Sequence, residues 1–150
     1  MGFDLYAISP HNEEEKSRYF RNNVWWWRPL WQYCRITGLI TDREFNSGCF
    51  NDGFKIQTRK ARRIGETLLL YIEDGSVGDY AKEYQQFLDN LPTTPCDTCK
   101  ETGKMKDGTE CNMCHGTKRA KSTNTWYPFS VENVKEFAEF CINSGGFEIC

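Results

Sequence analysis

The spacing of apolar residues predicts two amphipathic helices in the middle of the chain. Over Thr58–Glu73, apolar residues recur three and four positions apart and stop before Gly75, as in a helix with one buried face. A second stripe with this spacing covers Asp79–Asn90 and is closed by Pro92. Because the link between them is short, we expect the two helices to be antiparallel neighbours.

Short apolar segments elsewhere predict strands. They are Phe3–Ile8, Trp126–Phe129 and Phe147–Cys150, each of strand length. Pro29 suits the first position of a short helix over about Leu30–Arg35, whereas Thr41–Phe54 favours short helical turns and loops. Ser130 is a suitable N-cap for a last helix, which ends at Gly145.

These elements predict an α+β fold, with a small sheet packed by three or four helices. The sheet would combine the N-terminal, Trp126 and C-terminal strands. Residues 1–92 would form the N-terminal α+β part of the core and residues 126–150 a strand, helix and strand that complete it. Between them, residues 93–125 have only Met105 and Met113 as large apolar residues. This segment cannot fold by hydrophobic burial alone, so we expect a metal to hold it.

The spacing of four cysteines identifies the metal ligands. Cys96 and Cys99 form one C-x-x-C pair, Cys111 and Cys114 form another, and eleven residues separate the pairs. Two residues between cysteines let both sulfurs reach one ion, and two such pairs complete the tetrahedron that zinc prefers. We therefore predict one Zn²⁺ per chain in a closed, structural site, within an inserted zinc-knuckle module.

The glycines that follow each pair extend the pattern. The sequence C-N-M-C-H-G-T-K, which begins at Cys111, resembles the C-x-x-C-x-G-x-G repeats of the DnaJ cysteine-rich region but lacks the second glycine. The sequence C-D-T-C-K-E-T-G, which begins at Cys96, lacks the first glycine instead. DnaJ has four repeats and two zinc ions, and it carries an HPD motif that is absent here. The resemblance implies a zinc module and not a co-chaperone.

Other uses of the cysteines and histidines remain open. The C-x-x-C pairs could be redox-active dithiols, although a thioredoxin-like βαβ setting is missing from their flanks. His115 could replace a cysteine as a ligand, but its position beside Cys114 favours an outward orientation. The four remaining cysteines show no ligand spacing and are expected to be buried apolar thiols: Cys34, Cys49, Cys141 and Cys150.

Basic residues crowd the predicted start of the Thr58 helix. Arg59, Lys60, Arg62 and Arg63 lie near its N-terminus, whereas Glu73 lies at its end, so both groups oppose the helix dipole. Guanidinium groups arranged in this way could bind an anion or a nucleic acid. Alternatively, acidic residues of the fold could neutralise them, or they could form a solvated face.

A dense aromatic block precedes Pro29. Trp25, Trp26 and Trp27 are consecutive, so they cannot all face one core from a helix or a strand. An exposed tryptophan could form a protein-binding hot spot or stack on nucleic-acid bases. Burial in the core is the expectation for most of them, because tryptophan is highly buried on average. The block F-R-N-N-V-W-W-W-R-P-L-W and the tail Pro128–Cys150, P-F-S-V-E-N-V-K-E-F-A-E-F-C-I-N-S-G-G-F-E-I-C, also resemble small uncharacterised bacterial and phage proteins.

Composition narrows the class of protein. A net charge of −2 gives no global attraction to nucleic acid, and no run of 18 apolar residues suggests a membrane helix. The N-terminus lacks the basic and apolar regions of a signal peptide, so we expect a cytoplasmic protein. P-loop, Rossmann, nucleophile-elbow and HExxH motifs are absent. The sequence therefore favours a non-catalytic, zinc-stabilised protein that recognises a macromolecule, with a protein partner preferred over nucleic acid and a C-x-x-C redox enzyme as the catalytic alternative.

Overall fold

The computed structural model describes residues 1–150 and confirms the predicted α+β class. The chain divides into two compact units. The first comprises Met1–Glu83 and Tyr127–Cys150 and is called the core unit below. The second comprises Tyr84–Trp126 and is called the cysteine unit. None of the helices combines the length and the apolar character that a membrane span requires.

The core unit is built on a four-stranded antiparallel sheet. Its strands are β1 (Gly2–Ala7), β2 (Tyr19–Asn23), β3 (Phe54–Gln57) and β6 (Gly146–Ile149), in the order β2-β1-β6-β3. The register places Leu5 opposite Phe20 on one side and Ile149 on the other, and all three side chains are buried. Alternation of side chains along the strands therefore gives the sheet one buried face and one polar face.

Six α-helices occur along the chain, compared with the three or four that the sequence predicted. They are α1 (Glu15–Arg18), α2 (Val24–Ile36), α3 (Asp42–Ser47), α4 (Thr58–Glu73), α5 (Ser76–Asp89) and α6 (Val131–Asn143). The helices α4 and α6 confirm the amphipathic patterns, whereas α5 confirms the predicted helix but begins three residues earlier, at Ser76. Ser130 caps α6 as expected, because its side chain accepts a hydrogen bond from the Asn133 N–H at 3.2 Å.

The helix α2 begins six residues before the predicted Leu30 start. The side chain of Asn23 accepts hydrogen bonds from the N–H groups of Trp25 and Trp26, at 3.1 Å each, and this cap sets the first turn. Pro29 therefore lies inside the helix, where it removes one backbone hydrogen bond. Burial of Trp27 and Trp31, both with 0% exposure, offsets that cost.

The prediction of a strand at Trp126–Phe129 is wrong. Thr123–Trp126 forms a 3-10 turn, and the residues that follow it have no regular structure before α6. Two strands of the sheet were not predicted: β2, and β3 at the end of a segment whose composition indicated turns and loops. The four residues Phe54-Lys55-Ile56-Gln57 alternate apolar and polar, but only Ile56 is fully buried, so the strand signal in the sequence is short. Pairing with the distant strand β6 determines this strand.

Aromatic side chains fill much of the core unit. The ring of Trp27 stacks on that of Trp31 with centroids 5.0 Å apart, and it lies 5.6 Å from the ring of Phe3. The Trp27 indole N–H donates to the Gly48 carbonyl at 2.8 Å, so its one polar group is satisfied. The helices α4 and α6 pack closely through Gly65, where a side chain would meet the Ala138 carbonyl at 2.5 Å.

Candidate metal centre

A two-stranded sheet closes the cysteine-rich segment on itself. The strand β4 (Thr94–Pro95) pairs antiparallel with β5 (Arg119–Ala120). The Arg119 guanidinium adds two hydrogen bonds, donating from Nε to the Thr93 hydroxyl at 2.9 Å and from Nη2 to the Thr93 carbonyl at 2.7 Å. These contacts bring together the two ends of a loop that has little apolar surface to hold it.

The structure brings together the four cysteines that the sequence singled out. Their Sγ atoms all lie within 4.8 Å of one another, and all four side chains are buried. The Sγ atoms of Cys96 and Cys111 are 3.9 Å apart, and those of Cys99 and Cys114 are 3.7 Å apart. A zinc ion with four bonds of about 2.3 Å places its sulfurs about 3.8 Å apart at the tetrahedron edges. The cluster therefore fits one tetrahedral metal ion.

The two knuckles, one around each C-x-x-C pair, make equivalent hydrogen bonds. The equivalent residues are 15 positions apart in the sequence, as Cys99 and Cys114 are. The Thr102 hydroxyl lies 2.6 Å from the Cys99 carbonyl and 2.9 Å from the Lys104 carbonyl. The Thr117 hydroxyl lies at the same two distances from the Cys114 and Arg119 carbonyls. Each threonine therefore fixes the turn behind its cysteine pair. Sequence reasoning missed these threonines, although C-x-x-C-x-x-T occurs twice.

The backbone of both knuckles is left-handed where the DnaJ-like pattern has glycine. Glu101 replaces the first glycine of one repeat and has a φ of 62°, while Lys118 replaces the second glycine of the other and has a φ of 67°. The residues just after each second cysteine, Lys100 and His115, are also left-handed, at 54° and 47°. Non-glycine residues adopt this conformation only at a cost in energy. The turns around the sulfurs thus hold these four residues in a backbone conformation that non-glycine residues disfavour.

Gly103 is required by close packing as well as by its backbone angle. Its φ is 77°, and a Cβ atom there would lie 2.9 Å from the Gly116 carbonyl oxygen of the opposite knuckle. The Gly103 N–H donates to the Sγ atom of Cys99 at 3.3 Å. A hydrogen bond of this kind stabilises a thiolate, which is the form in which cysteine binds a metal.

The electrostatics of the cluster favour ionisation at one sulfur first. Burial raises the pKa of the Cys99 thiol, but hydrogen bonds from the Gly103 N–H and from the neighbouring cysteines outweigh it and lower that pKa to about 6. Burial raises the pKa of the Cys114 thiol to about 11, against a hydrogen bond from the Lys118 N–H. A divalent cation among these sulfurs would favour the thiolate form of all four.

Positive side chains lie beside the first knuckle. A groove of about 580 Å³ is lined by Cys99 together with Lys100, Lys104 and Lys106. Four thiolates around a divalent ion carry a net negative charge, which nearby ammonium groups would stabilise.

His115 and four of the eight cysteines lie outside this cluster. His115 is exposed, and its Nδ1 atom lies 3.9 Å from the Glu110 carboxylate. All eight cysteines are free thiols. Burial raises the pKa of Cys34 to about 12 and also raises that of Cys141, so these two thiols are neutral. Cys49 and Cys150 are partly buried, and burial raises the pKa of both.

The basic residues at the start of α4 differ in exposure and in ion pairing. Arg59, Arg62 and Arg63 are exposed. Lys60 is partly buried, and its Nζ atom lies 2.6 Å from Oε1 of Glu44 in α3. Lys60 is therefore neutralised within the fold by a carboxylate that sequence reasoning did not identify. The capping sequence Thr41-Asp42-Arg43-Glu44 indicates where α3 begins. It does not indicate the ion pair with Lys60.

The three adjacent tryptophans occupy three environments. Trp27 is fully buried and belongs to the core, and Trp26 is half-buried. Trp25 is 37% exposed, and its ring meets that of Tyr127 edge-on with centroids 4.9 Å apart. Trp25 and Trp26 therefore have solvent-exposed ring surface, whereas Trp27, which the sequence also suggested as a partner-binding residue, has none.

No protein-family model matches this chain, and neither a curated protein nor a solved structure matches it. Its function therefore has to be inferred from its own residues, of which the four clustered cysteines carry the clearest chemistry.

Proposed function

We propose that this protein is a non-catalytic binding protein, held in part by one structural zinc ion, that recognises a protein partner. The observation that carries the proposal is the buried cluster of Cys96, Cys99, Cys111 and Cys114, whose sulfurs are spaced as the corners of a small tetrahedron. Four soft thiolates in this geometry select zinc or an iron–sulfur cluster, and the paired knuckles suit a single ion.

A closed set of four ligands supports a structural role for the metal. Catalytic zinc sites hold three protein ligands and keep the fourth position for water or substrate. Here the fourth position belongs to a buried cysteine, and His115, the nearest histidine in sequence, is exposed. Zinc would supply cohesion to a unit that is poor in apolar residues. A reducing cytoplasm, such as that of a bacterium or of a cell infected by a phage, would keep the thiols ready to bind it.

A protein partner is supported by charge and by exposed aromatic surface. The net charge of −2 gives no general attraction to polyanions. Trp25 and Trp26 both have exposed surface on the core unit, and the ring of Trp25 contacts that of Tyr127. Tryptophan and tyrosine are enriched at the hot spots of protein interfaces.

Metal analysis of the purified chain tests the zinc site. We expect about one zinc per chain and loss of structure in the cysteine unit when a strong chelator removes the metal. Cys111→Ser should lower the zinc content sharply, whereas Cys49→Ser, which alters a thiol outside the cluster, should leave it unchanged. A chain that is folded throughout with no metal and is indifferent to the chelator would rule out the structural zinc.

A thiol–disulfide enzyme is the second candidate, because the pKa of Cys99 is lowered to about 6. Such an enzyme would reduce insulin disulfides with a thiol reductant present, and Cys99→Ser would abolish the reaction. We expect no turnover from the zinc-loaded protein, because thiolates bound to zinc are not free to attack a disulfide. Turnover above the rate of the reductant alone would favour the enzyme.

A further inference from the structure

One region of the core unit presents exposed arginines that form no ion pair. Arg59, Arg62 and Arg63 lie on the first two turns of α4, and Arg43 lies on α3. All four are exposed, and none of them takes part in an ion pair. These residues are called the arginine patch below.

The other arginines of the core unit all contact an acceptor. Arg18 pairs with Glu13, Arg21 with Asp4 and Arg35 with Asp42, and Arg28 donates to the Tyr127 hydroxyl. The protein thus has carboxylates available for neutralising arginine and uses them elsewhere. Arginines without a partner are confined to neighbouring parts of two helices.

The ion pair of Lys60 with Glu44 holds these two helices together. The Lys60 Nζ atom lies 2.6 Å from one oxygen of the Glu44 carboxylate and 2.5 Å from the other. Residues 43 and 59 each adjoin one member of this pair in sequence, and both are exposed arginines. Arg59 and Arg63 are one helical turn apart and lie side by side on the exposed face.

Helix stability does not account for the patch. Cations at the first turns of a helix oppose its dipole, and repulsion between neighbouring arginines adds to this unfavourable term. The helix α4 has no acidic residue in its first turn to offset them. The placement is unfavourable for the isolated protein, and an external anionic group would relieve it.

We propose that the arginine patch is the docking surface for an acidic segment of a protein partner, an inference that rests on the proposed role in protein recognition. Exposed guanidinium groups bind carboxylates through two parallel hydrogen bonds, and every unpaired cation of the patch is an arginine. Glu66 and Glu73 follow the arginines on α4, so the positively charged surface covers only the first turns of this helix. A compact group of carboxylates matches a positive surface of this length better than a nucleic-acid backbone does, because the backbone would extend onto the acidic C-terminal part of α4.

Fluorescence anisotropy with labelled poly-L-glutamate tests this surface on the full-length, zinc-loaded protein. We expect binding that weakens steeply as salt is added, because exposed charges are screened within about 10 Å at 0.1 M ionic strength. Arg59→Glu/Arg63→Glu should weaken binding by at least about tenfold. Arg59→Gln/Arg63→Gln, which adds no new charge to the helix, should also weaken it and guards against misfolding of the first variant.

The matched control is Lys82→Glu/Lys135→Glu. Both lysines are exposed on α5 and α6, and the substitutions change the net charge by the same amount as the arginine variant. Unchanged affinity in this control, together with loss in both patch variants, supports the docking surface. Equal loss in the control and the patch variants would show a general charge effect and overturn the proposal, as would a wild-type protein that does not bind poly-L-glutamate.

Labelled oligothymidylate and duplex DNA complete the experiment. Tighter binding of either one than of poly-L-glutamate, lost on Arg59→Gln/Arg63→Gln, would overturn the acidic-protein assignment in favour of nucleic acid. The zinc content of each sample separates the two proposals. Zinc-loaded protein with no dependence on the patch contradicts the docking surface alone, whereas dependence on the patch in a chain that holds no zinc contradicts the zinc site alone.

Discussion

The Glu44 carboxylate binds the Lys60 ammonium group and caps its own helix at the same time. Its oxygens lie 2.5 Å and 2.6 Å from the Lys60 Nζ atom, and one of them also accepts from the Thr41 N–H at 2.7 Å. Both side chains are largely shielded from water, with 29% exposure for Lys60 and 21% for Glu44. One carboxylate thus links the start of α3 to the start of α4.

This arrangement predicts a dependence of stability on pH. Burial raises the pKa of Glu44, but the hydrogen bonds from Lys60 and Thr41 outweigh it, and the net shift is downward. A lowered pKa means that the stabilisation is complete above the unfolded pKa and is lost as pH falls through the folded pKa. Glu44→Gln should therefore lower the free energy of unfolding by about 1 kcal/mol at neutral pH.

Urea denaturation followed by tryptophan fluorescence measures this difference. We expect the gap between wild type and Glu44→Gln to shrink as pH falls below about 4, and to close once the lowered folded pKa is passed and the carboxyl group is protonated in both states. Glu66→Gln removes an exposed carboxylate of α4 that has no ion pair and should change little at any pH. A gap that stays constant down to low pH would contradict the assigned role of the ion pair.

Close packing of α4 against α6 predicts that Gly65 tolerates no side chain. A Cβ atom there would lie 2.5 Å from the Ala138 carbonyl oxygen and 2.7 Å from Cγ1 of Ile142. Because the clash involves backbone, Gly65→Ala should lower the free energy of unfolding by about 1–3 kcal/mol or more. Gly78→Ala is the control, since nothing lies within 4 Å of a Cβ atom in that position of α5. Alanine should stabilise that helix by up to about 1 kcal/mol, and thermal melting of both variants distinguishes the two effects.

The left-handed residues of the knuckles predict stabilising substitutions. Glu101→Gly and Lys118→Gly place glycine where φ is 62° and 67°, and each should stabilise the zinc-loaded protein by up to about 1 kcal/mol. Lys106→Gly is the control, because that exposed residue is not left-handed and glycine there only adds freedom to the unfolded chain. The chelator concentration needed to remove zinc should rise for the first two variants and fall or stay level for the third. Easier loss of zinc from both Glu101→Gly and Lys118→Gly would show that other contacts of these side chains matter more.

Adjacent tryptophans should differ sharply in their contribution to stability. Trp27 is fully buried and donates to the Gly48 carbonyl at 2.8 Å, so Trp27→Ala should cost about 3–5 kcal/mol or prevent folding. Trp25→Ala removes a ring that is 37% exposed and should cost about 1 kcal/mol. Chemical denaturation of both variants provides the measurement, and comparable losses would contradict the assignment of Trp27 alone to the core.

Features that depend on neighbours in the chain could be predicted from the sequence. The four cysteines were identifiable because two residues between cysteines determine whether both sulfurs reach one point. The extent of α4 and the cap of α6 were likewise readable, since helical periodicity and capping involve residues only a few positions apart. The sequence also showed that residues 93–125 need a source of stability other than apolar burial.

Features that depend on distant partners were decided only by the tertiary structure. The strand β3 forms because Phe54–Gln57 pairs with a strand that ends at Ile149, since its own four residues give only a short apolar–polar alternation. Lys60 differs from Arg59 only because α3 brings a carboxylate to it. Local sequence specifies the periodicity of a helix or strand and the chemistry of each side chain. Whether a side chain is buried or neutralised depends on which distant segment the folded chain places beside it.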